Sequence, residues 1–405
     1  MSKTSVRIKD KVREIVSMRH RLAKVMPFED YAANFDPKCY HLLENNRQTT
    51  VLASEFFGKQ PKSPEPCKLP DMYWAELKDA KIIGGSDVVL TSDNKMLYDM
   101  LARCDEYNAN MTDHGLFLLF GKPHHFGKRY IYNYIKSPNN CIEKGICLAS
   151  NMSNNYFHFM AQIASKMGYI KTAGIGKDVP LLVDERVLRV PQMKQLVELL
   201  NEDQRTIIPL QANVLYKVKE LYCIACPNVV IPNRKKGAQN DDTNNKFAYD
   251  AKALDDIKSK VLAKADIAKA EQFPKRIYIS RRNCNKRRIN EDEIRPVLEK
   301  YGFVFVYPED MDIIEQTSLF NQAEHIVGAS GAAFTNLVFC SKTCRVLVFL
   351  SYYHNSTCFS SLGNTKGAKM MYMVGKSDKQ EAHIPYFRID PDMLDAYFQS
   401  IYTDR

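Results

Sequence analysis

Residues 276–339, RIYISRRNCNKRRINEDEIRPVLEKYGFVFVYPEDMDIIEQTSLFNQAEHIVGASGAAFTNLVF, constrain the fold more than any other stretch of the chain. The apolar run Arg276–Ser280 reads as a strand and leads into Arg281, Arg282, Arg287 and Arg288. One helical stretch later comes a second run, Phe303–Tyr307. A third, His325–Val327, ends in Gly328-Ala329-Ser330-Gly331-Ala332-Ala333 and starts another helix. Strand–helix–strand–helix–strand predicts a parallel α/β sheet. Ligands of such sheets bind outside the carboxyl ends of the strands. Here those ends carry guanidinium groups and a helix N-terminus, and both favour phosphate. A phosphate-bearing substrate, held without a Walker lysine loop, is the first functional expectation.

At 405 residues the chain is long for one core, and two domains are expected. Its apolar and charged fractions, 45% and 26%, are those of an ordinary soluble globular protein. The net charge of +10 suits a phosphorylated ligand, an anionic membrane surface or nucleic acid, and does not choose among them. Nucleic-acid binding is disfavoured because no aromatic residues interleave the basic cluster and no helix-turn-helix or finger spacing occurs. No Gly-x-Gly-x-x-Gly follows a strand, which argues against a dinucleotide-dependent dehydrogenase. The eleven cysteines form no repeating framework. Cys223 and Cys226, with Cys340 and Cys344, imitate a zinc site, but they sit in apolar runs and read as buried thiols. Ser2–Met26 alternates apolar and basic residues: it is either a helix lying on anionic lipid or a basic helix packed on the protein. No apolar run reaches membrane-spanning length and no signal-peptide core is seen, which points to a cytoplasmic location, peripheral to the inner face of the membrane under the first alternative.

The remaining pattern continues the alternation. Residues 57–72 hold four prolines and read as a connector. Strands are expected at Val88–Thr91, Leu116–Phe120, Arg129–Ile135, Gly145–Ala149, Val179–Val183 and Thr206–Leu210, with helices at Tyr156–Lys166 and Gln192–Leu200. Asn233–Lys246 reads as a polar loop, and Phe247–Ala270 as a long helix. Further strands are expected at Arg345–Leu350 and Lys369–Val374, and a closing helix at Asp392–Tyr402.

Four motifs in order resemble glycosyltransferase family 61. They are Asn155-Tyr156-Phe157-His158; Ser280-Arg281 with Arg287-Arg288 and Asn290-Glu291; Gly302-Phe303 with Glu315-Gln316; and Gly328 through Thr335-Asn336. Order and spacing agree over residues 141–350. The resemblance implies a GT-B architecture, two Rossmann-like α/β domains facing across a cleft. Residues 61–215 would be the acceptor domain and 216–375 the nucleotide-sugar domain, with a basic helical extension at 1–60 and a closing helix in 376–405. It also implies an inverting, metal-independent transfer, with no cofactor, from a nucleoside diphosphate sugar to a saccharide or lipid-linked saccharide in bacterial capsule, lipopolysaccharide or exopolysaccharide synthesis. A non-catalytic sugar- or nucleotide-binding scaffold subunit is one alternative, and a nucleic-acid-binding protein the other.

Within that pattern Arg281 and Arg288, with Arg287, are expected at the pyrophosphate, where arginine bonds strengthen as charge develops. Ser330, Gly331 and Ala332 offer small side chains and helix-start amides, and Thr335 and Asn336 add polar contacts. Glu315 is divided between ribose hydroxyls and a capping box with Asp312, and Gln316 stands beside it. Asn290 reads as an N-cap. Asp310-x-Asp312 imitates a metal motif, but the helix start explains Asp312, and no metal is expected. His158 is the expected general base, with Asn155 and Tyr156 on the acceptor side. Two places depart from the family pattern: Ser330 replaces a histidine, and Gln162 stands where an acidic residue is common. His325 reads as structural.

Overall fold

Two β-sheets organise the chain in this computed structural model, which describes residues 22–52, 54–60, 63–99, 130–132, 140–230, 247–266, 269, 271–281, 288–351, 358–376 and 386–402. Arg282, Arg287, His124, His125, His354, the expected strand at 116–120 and the polar loop at 233–246 lie outside the described residues.

In chain order the strands are β1 (Leu22–Met26), β2 (Tyr40–Glu44), β3 (Gln48–Val51), β4 (Glu65–Lys68), β5 (Met72–Ile83), β6 (Val88–Leu90), β7 (Lys95–Tyr98), β8 (Tyr130–Tyr132), β9 (Asn140–Leu148), β10 (Leu181–Asp184), β11 (Ile207–Leu210) and β12 (Leu215–Ile224). Among the described residues they build a ten-stranded mixed sheet, ordered β11-β10-β9-β12-β5-β6-β7-β1-β8 with β2 on β5, and a separate β3–β4 pair. Strands β9 to β12 run parallel, whereas β5 pairs antiparallel with β12 and β6.

The second half of the chain gives β13 (Arg276–Ile279), β14 (Arg288–Ile289), β15 (Val304–Val306), β16 (His325–Ala329), β17 (Arg345–Ser351), β18 (Lys369–Gly375) and β19 (Tyr386–Phe387). Five of these form an all-parallel sheet ordered β15-β13-β16-β17-β18. The residues explain it. Every residue of β16 is buried and all but the first of β17, as expected where both faces of a parallel sheet are covered. From β13 the chain moves outward to β15, then crosses to β16 on the other side, so its direction reverses between β13 and β16. In open α/β sheets that reversal is where the ligand crevice lies.

Several expectations are corrected. The basic helical extension describes residues 22–60 only in part: a helix, Phe28–Asn34, is present, but β1 is a strand between β7 and β8, and β2 and β3 follow. Its alternating apolar and basic residues suit a strand as well as a helix. The connector at 57–72 contains β4. The boundary at 215/216 falls on the first residues of β12, which pairs with β5 and β9 in the larger sheet. The long helix is Ala251–Leu262, begun by Asp250, whose carboxylate accepts the Lys252 amide at 2.9 Å. One apolar cluster runs through both sheets, from Leu148 and Leu182 to Ile326 and Val348. The Ala251–Leu262 helix contributes Leu254 and Ile257 to that shared core. A second cluster lies on the other face of the five-stranded sheet, under Glu291–Lys300 and Pro391–Tyr402. Among the described residues no helix is long and apolar enough to cross a membrane.

His325 is structural, as its place at the start of a strand suggests. Its Nδ1 lies 2.6 Å from Tyr402 Oη and its Nε2 3.3 Å from Tyr397 Oη, so it anchors the C-terminal helix. Burial, then Arg345 and Arg276, lowers its pKa from 6.5 to about 3. The unfolded chain therefore binds this proton near pH 6.5 and the folded chain only near 3. The stability His325 confers is complete above pH 6.5 and is lost as pH falls toward 3, by roughly 4 kcal/mol across the window. Urea unfolding at pH 7, 5 and 4 checks this: the wild type loses stability stepwise, and His325→Gln shows a flatter slope.

Candidate active site at the strand ends

Strands β13 and β16 are neighbours, with Ile279 beside Gly328, so the residues that leave their carboxyl ends come out side by side. The side chains confirm the meeting. A β-carbon built on Gly331 would overlap Arg281 Nη1 and stand 3.2 Å from its Cζ. The guanidinium of Arg281 thus lies directly against the bare backbone of Gly331. That backbone is extended (φ −172°), so any side chain is conformationally allowed there and the glycine is needed for space alone. Gly331→Ala is accordingly expected to keep the fold, with stability changed by less than about 1 kcal/mol, while pushing the guanidinium away. Calorimetric titration should show nucleoside diphosphate binding weakened about tenfold.

Glu291 fixes the root of Arg281. Its carboxylate accepts the Arg281 backbone N–H at 2.6 Å, the Tyr278 hydroxyl at 3.1 Å and the Ser280 hydroxyl at 2.7 Å. This role was missed from sequence, although the Asn290-Glu291 pair was visible. The expected N-cap at Asn290 is not formed. Its amide instead bonds both backbone groups of Ile389, at 2.8 and 2.9 Å, tying the last segment of the chain to the loop after β13. Arg288 is exposed on the small β14–β19 pair, where Ile289 takes the buried side. The side chain nearest Gly331 is that of Arg281.

Gly331 is followed by a 3₁₀ helix, Ala332–Phe339. Ala332 and Ala333 at its start are half-buried, and first-turn amides carry partial positive charge. The Ser330 amide is already used by the Phe349 carbonyl of β17 at 2.9 Å, and its side chain is buried. Thr335 Oγ1 is buried with no hydrogen-bond partner among the described residues.

Three other expected site residues turn out to be one polar chain. The Tyr156 hydroxyl donates to Asn336 Oδ1 at 2.6 Å. Asn336 Nδ2 donates to Gln316 Oε1 at 2.7 Å. Gln316 Nε2 donates to the carbonyls of Pro308 and Met311 at 2.7 and 3.1 Å. Burial raises the Tyr156 hydroxyl pKa, so it remains a donor at physiological pH. The chain links the start of a helix from the larger sheet to the turn after β16. Gln316 and Asn336 therefore have their polar atoms engaged by protein. Glu315 is exposed and accepts the Asp312 amide at 3.1 Å, while Asp312 accepts the Glu315 amide at 2.8 Å. Of the two alternatives for Glu315, the capping box with Asp312 is the one whose bonds are formed.

Asn155 caps the helix that follows, its Oδ1 accepting the Phe157 amide at 3.0 Å. That helix begins as an α-turn, Tyr156–His158, continues as a π-helical stretch, Phe159–Ala164, and ends as Ser165–Thr172. Such π segments are rare and concentrate at functional sites. The preceding loop is held at two points: Asp87 accepts the Asn151 amide at 3.0 Å, and Asp184 accepts the Ser153 hydroxyl at 2.7 Å. His158 is buried, with Nδ1 2.7 Å from Gln162 Oε1. Burial lowers its pKa, against smaller raising effects of Gln162 and Asp87. It is therefore neutral near pH 7, the state a proton acceptor requires. An amide oxygen can only accept, so Nδ1 carries the proton and Nε2 keeps the lone pair.

The fold and these side chains define an α/β protein in which an arginine lies on a glycine turn where the order of a parallel sheet reverses. Residues 156–347 match the family described as Glycosyltransferase 61. The chain therefore carries a Glycosyltransferase 61 domain and is a glycosyltransferase. No curated protein matches it.

Proposed function

We propose that the chain is an inverting, metal-independent glycosyltransferase that moves a sugar from a nucleoside diphosphate to a saccharide or lipid-linked saccharide acceptor, in the assembly of a bacterial surface polysaccharide. The five-stranded sheet would hold the nucleotide and the larger sheet the acceptor, in a GT-B-like arrangement. One observation carries this reading: Arg281 lies on Gly331 where the sheet order reverses.

In a direct displacement the acceptor oxygen forms a bond to the anomeric carbon. The bond from that carbon to the diphosphate oxygen breaks, and its electron pair leaves with the diphosphate. Arg281 and the amides of Ala332 and Ala333 meet that growing charge, which is where fixed donors lower a barrier most. His158 Nε2 takes the hydroxyl proton. Metal independence is supported by how the acidic motif is spent: Asp312 is a helix cap. The unsatisfied hydroxyl of Thr335 is the kind of group that a bound phosphate or ribose oxygen would complete.

The test is transfer from a panel of nucleoside diphosphate sugars to saccharide acceptors in the presence of chelator, with the anomeric configuration of the product followed by NMR. Inverted product formed in chelator supports the reading. Retention of configuration, or activity restored only by a divalent cation, contradicts it.

A further inference from the structure

His158 Nδ1 meets a neutral amide, Gln162, whose oxygen favours the positive ring formed when a proton is taken up but brings no charge to balance it. A buried imidazolium needs a negative charge within reach, or burial drives the proton off. Gln162 also lines a cavity at the ends of β9 and β12, whose other walls include Asp87, Asp99 and Lys166. The cavity measures about 30 Å³, room for water and too little for a sugar ring. Its charges therefore act on the groups around it.

Two carboxylates face one ammonium there, which leaves an excess negative charge. Asp99 accepts the Cys226 amide at 2.9 Å and the Tyr73 hydroxyl. Burial opposes the charge on Lys166, yet Asp99, and more weakly Asp87, hold its pKa above the ordinary lysine value. Glu29 lies beside Asp99, and burial raises its pKa. Cys147 and Cys226 are neutral thiols, raised by burial. Asp87 precedes β6, outside the family-matched residues, and it bonds the loop that delivers His158.

We infer that Asp87 is the positioning carboxylate for His158: bonded to the loop that leads into its helix, and sharing a cavity wall with Gln162, it stabilises the imidazolium formed as His158 takes the acceptor proton. The inference rests on His158 being the base. The proton passes from the acceptor hydroxyl to Nε2, and Asp87 takes no part in the transfer.

Asp87→Asn keeps an oxygen for the Asn151 amide while removing the charge. It is expected to lower kcat about tenfold with donor KM unchanged, and to move the acid limb of the kcat profile to lower pH. Adding Gln162→Glu to that variant places a carboxylate on Nδ1, and should recover kcat and move the limb upward. Wild-type kcat and limb in Asp87→Asn would overturn the inference. So would a loss that Gln162→Glu cannot rescue and that leaves the limb in place, since Asp87 would then only hold the loop. His158→Ala separates the two levels. If it keeps near-wild-type kcat, the base assignment fails and this inference with it. If it is inactive while Asp87→Asn behaves as wild type, the inference alone fails.

Discussion

Arg281→Ala is expected to lower kcat/KM for sugar transfer by about 10²–10³-fold, the loss typical when one fixed donor is removed from a developing anion. At about 1.4 kcal/mol per decade this is roughly 3–4 kcal/mol of transition-state stabilisation. The fold should survive. The Arg281 backbone is held through its N–H by Glu291, which the substitution leaves in place. Its side chain is half-buried. Steady-state kinetics beside a thermal melt make the comparison, with a large kinetic loss and a melting temperature close to wild type as the expected result. Arg281→Lys should recover little, because a single ammonium cannot reproduce the planar fork that spans two phosphate oxygens.

Asn336→Leu is expected to destabilise the protein by about 3 kcal/mol. Asn336 is fully buried and stands mid-chain between Tyr156 and Gln316. An apolar replacement of similar size leaves the Tyr156 hydroxyl and Gln316 Oε1 without partners, at about 1–3 kcal/mol for each stranded group. Tyr156→Phe removes one end of the chain only and should cost about 1 kcal/mol. Urea denaturation of the two variants measures the difference. Activity should fall in both, because the same bonds set the Tyr156 end of the His158 helix against the turn after β16.

The parallel sheet was legible because its strands are continuous apolar runs separated by helices, and β13, β16, β17 and β18 lie within a residue or two of their expected ranges. The larger sheet was harder. Its longest strands, β5 and β12, carry lysines and glutamates such as Lys78, Lys81, Lys217 and Glu220, and their antiparallel pairing is a long-range choice that no local pattern announces. The site divides in the same way. Arg281 and Gly331 could be placed together because strand ends fix where the chain emerges. Gln316, Asn336 and Tyr156 carry the family motifs, yet they bond one another, and motif membership does not distinguish a ligand contact from a brace. Arg288 is exposed on β14, because in a strand the neighbour of a buried residue points to the other face. Asp87 lay outside every motif and became visible only when folding set it beside the loop before His158.

The most direct test of the central claim is a double-mutant cycle on nucleoside diphosphate binding, measured calorimetrically in chelator with whichever of UDP, GDP, ADP, CDP and TDP the wild type binds most tightly. If Gly331 exists to leave room for Arg281, Gly331→Ala should weaken binding about tenfold alone and less than about twofold in the Arg281→Ala background. Fully additive losses, or an Arg281→Ala protein that binds the nucleotide as the wild type does, would contradict the account.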